Sequence, residues 1–223
     1  MFERYAIFYT PPAGMLAEFG ALWLGWDSAT GKPVAQPDVA GLDVSAITAT
    51  PRKYGLHGTL KAPFRLAGSL EALQDTAATF AGAQSPVPLH QMTLRHDHGF
   101  VALRPMGDVT ALTAFAADIV RAFDPHRAPL SEADIARRRK SPLSPRQDRQ
   151  MLDWGYPFIF DDFHFHLTLS GRLNAQAGAE VITALDPLLT PLVPDPMRIE
   201  AITLMGEDGA GMFHQLHHYA LTG

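Results

Sequence analysis

With 223 residues, 47% of them hydrophobic and 18% charged, the chain is too apolar for disorder and long enough for one sizeable core or two small lobes sharing one. Its 18 Lys and Arg against 23 Asp and Glu give a formal charge of -5, which argues against a grip on long nucleic acid through its phosphates; a small phosphate ester needs only a few local cations. Cysteine is absent, so disulfides, thiolate nucleophiles and Cys-based zinc sites are excluded.

Residues 2–9 alternate like a strand and stop at Pro11-Pro12. They lack a signal peptide's apolar stretch, and no apolar run approaches the roughly 20 residues of a membrane helix. A cytoplasmic protein with no membrane partner is the expectation. Met15, Phe19, Leu22 and Trp23 predict a short helix over 13–25, followed by a loop to about 50. Residues 54–66 read as a strand that Pro63 ends or places at an edge, and Ser69 as the cap of a helix reaching 80. Residues 91–94 and 100–103 form a hairpin around His96-Asp97-His98-Gly99, and Asp108 caps a helix carrying Leu112, Phe115, Ile119 and Phe123. Prolines and the run Arg137-Arg138-Arg139-Lys140 then mark a connector over 125–157, with a helical turn or two between 144 and 154. A strand over 162–173, a helix over 175–189 and a closing hairpin over 197–205 and 212–221 complete the chain.

Strand, helix and hairpin therefore occur twice, which predicts one domain over 1–223 made of pseudo-repeat halves at about 1–124 and 158–223. The expected class is α+β: two pseudo-twofold-related lobes of antiparallel sheet backed by helices, with a groove between them. The two equivalent strands read Leu56-His57-Gly58-Thr59-Leu60-Lys61 and Phe165-His166-Leu167-Thr168-Leu169-Ser170. Period-2 alternation sets His57, Thr59 and Lys61 on one face of the first, and His164, His166, Thr168, Ser170 and Arg172 on one face of the second.

One His-x-Thr specifies only two residues, but two of them at equivalent places in a repeat are a specific signal. The chain resembles the two-histidine phosphoesterase superfamily, which includes cyclic phosphodiesterases and the bacterial RNA 2',5'-ligase group. Arg4 to Tyr9, Lys53 to Phe64, and Trp154-Gly155-Tyr156-Pro157 leading into Phe165 to Leu169 resemble its branch found in bacterial phosphonate-utilisation operons. The resemblance spans nearly the whole chain. It implies His57 and His166 as a catalytic acid–base pair of a phosphodiesterase, with Thr59 and Thr168 binding the phosphate.

The chemistry suits those residue types. Two imidazoles with ordinary pKa near 6.5 can present one neutral and one protonated ring, and hydroxyls can steady charge on the non-bridging oxygens. Which ring is base and which acid stays open. Lys61, Arg172, Tyr54, Tyr156 and Tyr9 are further candidates for substrate contact, each with an ordinary role in packing or solvation as the alternative. His164, His96-x-His98, His214, His217 and His218 raise a metal reading, but no carboxylate is arranged with them as a third ligand; neither metal nor cofactor is expected. Arg137 to Lys140, Arg146 and Arg149 form either an arm over the substrate or a solvated connector. The expected partner is a small phosphate ester, with RNA end processing, 2',5'-ligation and turnover-free binding of a phosphorylated ligand as rivals. No protein partner is implied.

Overall fold

The computed structural model describes residues 2–223. Its elements in chain order are β1 (Arg4–Tyr9), α1 (Met15–Leu24), the short pair β2 (Trp26–Asp27) and β3 (Lys32–Pro33), α2 (Val44–Thr48), β4 (Gly58–Phe64), α3 (Leu70–Gly82), β5 (Val87–His90), β6 (Met92–Asp97), β7 (Phe100–Pro105) and α4 (Thr110–Phe123). After these come α5 (Glu132–Arg138), α6 (Pro145–Trp154), β8 (Leu167–Thr168), α7 (Ala175–Leu189), β9 (Met197–Ile199), β10 (Ala201–Glu207) and β11 (Phe213–Ala220).

Local chemistry accounts for the helix starts. Ser69 and Asn174 accept backbone N–H bonds from Ala72 and Ala177, and Ser144 with Gln147 forms a reciprocal capping box. Asp108 accepts from Thr110 just ahead of α4, while Val109 occupies the cap position itself. Apolar stripes then bury one face of each long helix: Leu73, Ala77 and Ala81 on α3; Leu112, Phe115, Ile119 and Phe123 on α4; Val181, Leu185 and Leu189 on α7.

Seven strands make one mixed-order sheet, β11-β10-β1-β4-β8-β7-β6, and every pairing in it is antiparallel. The α+β class holds, and so do the two helix-backed halves: α3 packs on β10 and β11, α7 on β6 and β7. The halves are fused through one ladder pair, Gly58↔Leu167, at the centre of the two His-x-Thr motifs. The hairpins are exchanged. The hairpin β6–β7, which follows β4 in sequence, lies beside β8, and the closing hairpin β10–β11 lies with β1 beside β4.

Three regions differ from the sequence expectation. The strand over 162–173 shrinks to two residues because its backbone donors leave the ladder: Leu169 and Ser170 N–H both reach Val101 O, and Gly171 N–H reaches Ile47 O at 2.6 Å. Residues Phe160–Asp162 form a 3-10 turn instead. The loop to residue 50 holds α2 and leads into a 3-10 turn at Pro51–Tyr54, and β5 pairs with β9 as a separate two-stranded sheet. No helix among the described residues is long and apolar enough to cross a membrane.

Candidate functional site

The register at Gly58↔Leu167 builds the site. In an antiparallel pair the neighbours of that couple face each other, so His57 stands opposite Thr168 and Thr59 opposite His166. The two histidines are thus diagonal neighbours on one face of the sheet, a relation that sets residues about 7–8 Å apart with their Cβ atoms somewhat closer. The approach of the strands is close. A Cβ on Gly58 would fall 2.4 Å from the Phe165 ring on the opposite, helix-covered face, so only glycine fits between the motifs.

Both rings are anchored alike. His57 Nδ1 lies 3.0 Å from Gly55 O, and His166 Nδ1 lies 2.7 Å from His164 O. A carbonyl only accepts, so each Nδ1 carries the proton and each neutral ring presents an unprotonated Nε2. That of His57 accepts from Thr59 Oγ1 at 3.2 Å. His57 is buried, its ring centroid 4.2 Å from Phe8 and 5.2 Å from Tyr54, while His166 rests against Phe100 at 5.3 Å. Burial lowers the His57 pKa to about 4, opposed by the bond to Gly55 and reinforced by the charge of His166. Burial also lowers that of His166, opposed by its carbonyl bond and by Asp97 and reinforced by Arg104 and His98. His57 is therefore neutral throughout the physiological range.

In front of the motifs runs a groove of about 740 Å³, lined by Thr59 and His166 from the sheet, by Phe100 and Arg104 of β7, by Gln147 and Tyr156 of the connector, and by Ile159 just after it. This volume lies within the range typical of small-molecule sites. The connector forms one wall of the groove, pinned where Arg146 and Gln147 hold Asp162. Its arginines divide by role: Arg137 pairs with Asp134 and Arg139 with Asp148, while Arg138 stacks on Tyr156 at 5.2 Å. Arg149 is in no ion pair among the described residues.

Of the other candidates, Tyr54 stacks on His57, while Tyr156 and Arg172 line the groove. Thr168 shares the face of His166 and pairs with Ala102. Lys61 and Tyr9 are corrected. The pairs Phe8↔Thr59 and Ile7↔Lys61 leave Leu60 as an extra residue, so a bulge turns Lys61 to the helix face. There its Nζ donates to Val120 O at 3.0 Å and to Asp124 Oδ1 at 3.1 Å. Burial lowers the Lys61 pKa to about 8, against the pull of Asp124. Tyr9 shares the core with Ile7 and packs on Phe165. Ser170 is also turned inward: its hydroxyl accepts from Val101 N–H at 2.9 Å.

Sequence reasoning missed Arg104 altogether. It follows from Ala102↔Thr168 that Arg104 stands opposite His166, on the groove face. Its Nη2 lies 2.6 Å from Asp97 Oδ1, an ion pair by distance but poorly aligned for a hydrogen bond, and its buried Nε has no partner among the described residues. No motif marks this residue; only its place on a strand beside β8 could have raised it. Among the described residues, no cluster of three or more His, Asp or Glu side chains is arranged to hold a metal ion.

Fold and motifs together define an α+β protein with two His-x-Thr strands apposed at the centre of one sheet. Residues 59–214 match the family model described as "Protein of unknown function (DUF1045)", and the chain belongs to that family. This match, with the relatives that follow, bears out the resemblance to the branch found in phosphonate-utilisation operons. A relative from Janthinobacterium sp. (strain Marseille), named ribose 1,5-bisphosphate phosphokinase PhnN, is 35% identical over 219 residues, covering 93% of this chain and 48% of the relative. A protein of the same name from Laribacter hongkongensis (strain HLHK9) is 32% identical over 182 residues, covering 77% of this chain and 40% of its own. The chain thus spans about half the length of the curated relatives it matches. Among solved structures, a phosphoesterase aligns over 99% of both chains at 17% identity and a TM-score of 0.41. E. coli LigT complexed with 3'-AMP aligns over 100% of both chains at 16% identity and a TM-score of 0.42.

Proposed function

We propose that this chain hydrolyses a cyclic phosphate or phosphodiester carried by a small ribose-containing molecule, without a metal ion. The observation that carries the reading is the antiparallel apposition of two His-x-Thr strands, with each Nδ1 tied to the backbone carbonyl two residues upstream. In the reaction, His57 Nε2 takes a proton from water as its oxygen bonds phosphorus. The phosphorus–oxygen ester bond then breaks, and protonated His166 gives its Nε2 proton to the leaving oxygen. Once substrate is bound, the Thr59 hydroxyl turns from His57 Nε2 to the phosphate, and Thr59 and Thr168 donate to the non-bridging oxygens where charge accumulates. His57 is the base because its burial keeps it neutral, whereas the less buried His166 more readily takes up the proton.

Two features favour a small molecule over RNA: the limited size of the groove and the acidic total charge. Relatives that contain a homologous segment within a longer protein are named for a ribose 1,5-bisphosphate kinase, which supports a sugar phosphate formed during phosphonate breakdown as the substrate. The test is turnover of cyclic ribose phosphates, 2',3'-cyclic nucleotides and a short 2',5'-linked oligonucleotide, with EDTA present. Hydrolysis of the small cyclic esters is the expected result. Preferential action on the oligonucleotide would favour RNA processing, and silence across the panel would leave phosphate-ligand binding without turnover.

The pH profile is a second check. In the free protein kcat/KM requires neutral His57, present above pH of about 4, and protonated His166, present below a pKa itself pushed under 6.5. The expected profile is a bell with its maximum below pH 6.5, falling about ten-fold per pH unit on the alkaline side. A plateau from pH 6.5 to 8 would assign the rate to other groups.

A further inference from the structure

We propose that the end of the groove beyond His166, lined by Arg104, Arg172, His98 and His164, is a second anion subsite that takes a phosphomonoester carried by the same substrate as the reacting phosphodiester. Four observations meet there. Arg104 is buried to 8% exposure and keeps an unpartnered Nε–H in the groove wall, and leaving such a donor unpaired is costly. Arg172 lines the same end and makes no ion pair among the described residues. His98 occupies a left-handed conformation (φ 52) at the tip of the β6–β7 hairpin, beside Gly99 (φ 83). That conformation is uncommon for a residue with a side chain, and it brings the His98 ring to 6.2 Å from that of His164 in a stacked pair.

Of the carboxylates nearby, Asp97 pairs with Arg104 Nη2 but leaves its Nε without a partner and Arg172 in no ion pair among the described residues, and Asp162 is held by Arg146 and Gln147. His57 itself is packed against the buried Phe8 and against Tyr54, and Arg4 is bound by both oxygens of Glu207. The cationic side chains of the groove lining, Arg104 and Arg172, thus gather with His98, His164 and His166. A ligand with one phosphate between the histidines would direct a second phosphate toward the arginines. The preferred substrate class is then a small sugar bearing two phosphate groups, one esterified twice and one terminal, rather than a nucleoside cyclic phosphate whose other end is an uncharged base.

This inference rests on the hydrolase reading only for the position of the first phosphate, so its test uses binding. Ribose 5-phosphate and ribose 1,5-bisphosphate are titrated calorimetrically into the wild type and into Arg172→Gln, Arg104→Lys and His57→Ala, with folding of each variant checked by circular dichroism. The wild type is expected to bind the bisphosphate at least about ten-fold more tightly, as charge-assisted bonds to a dianion require. Arg172→Gln and Arg104→Lys should each bring the ratio toward one, while His57→Ala keeps it above one. Equal affinity for the two sugars in the wild type, or a preference that survives both arginine substitutions, overturns the subsite. A bisphosphate preference with no turnover of any cyclic ester refutes the hydrolase and leaves the subsite standing; turnover without the preference does the reverse.

Discussion

His57→Ala and His166→Ala should each lower kcat on a cyclic phosphate by about 10²- to 10⁴-fold while leaving the fold intact, the range expected when one proton-transfer group is removed. The two losses should not multiply. Both rings serve one displacement at one phosphorus, so the double variant should be little worse than the poorer single one. A substrate with a nitrophenolate leaving group separates the roles, because that group departs without a proton. Such a diester should restore much of the activity of His166→Ala and little of that of His57→Ala. Rescue in the opposite sense would exchange acid and base. Full turnover by either single variant would remove the histidines from the mechanism.

Gly58→Ala should damage both stability and turnover. The added methyl would lie 2.4 Å from Phe165, whose ring is buried in the core. Overpacking of this kind costs about 1–3 kcal/mol, equivalent in a chain of this size to a fall in Tm of roughly 2–12 °C. Relief of the clash requires β8 to move away from β4, which widens the distance between the histidines; a displacement near 1 Å can lower a rate about 100-fold. Gly82→Ala is the control. It adds the same methyl to a helical glycine with nothing within 4 Å, so stability should hold or rise slightly. Wild-type melting and turnover in Gly58→Ala would mean that the strands are not in close contact.

The core of the site was legible because strand alternation and an internal repeat are both one-dimensional signals. The sequence alone sets His57, Thr59, His166 and Thr168 on facing strands. Lys61 could not, since alternation counts residues and a bulge at Leu60 shifts the count by one. Tyr9 was ambiguous for another reason: β1 is covered on both faces, so its apolar residues do not reveal which parity meets the groove. Arg104 left no trace, because its partner is a strand from the other half and no local pattern announces that pairing. The exchanged hairpins were hidden in the same way; a repeat shows that two units are alike, not which one lends its hairpin to which.

That exchange links assembly to activity. Gly58 and Leu167 lie far apart in the chain, β8 has the hairpin of the first repeat on its outer side, and the hairpin of the second repeat lies beyond β4 across β1. Neither repeat can complete its share of the sheet from its own residues. The pocket therefore arises only after long-range closure of nearly the entire polypeptide, a high-contact-order route on which partially folded chains hold one His-x-Thr segment and no reaction centre.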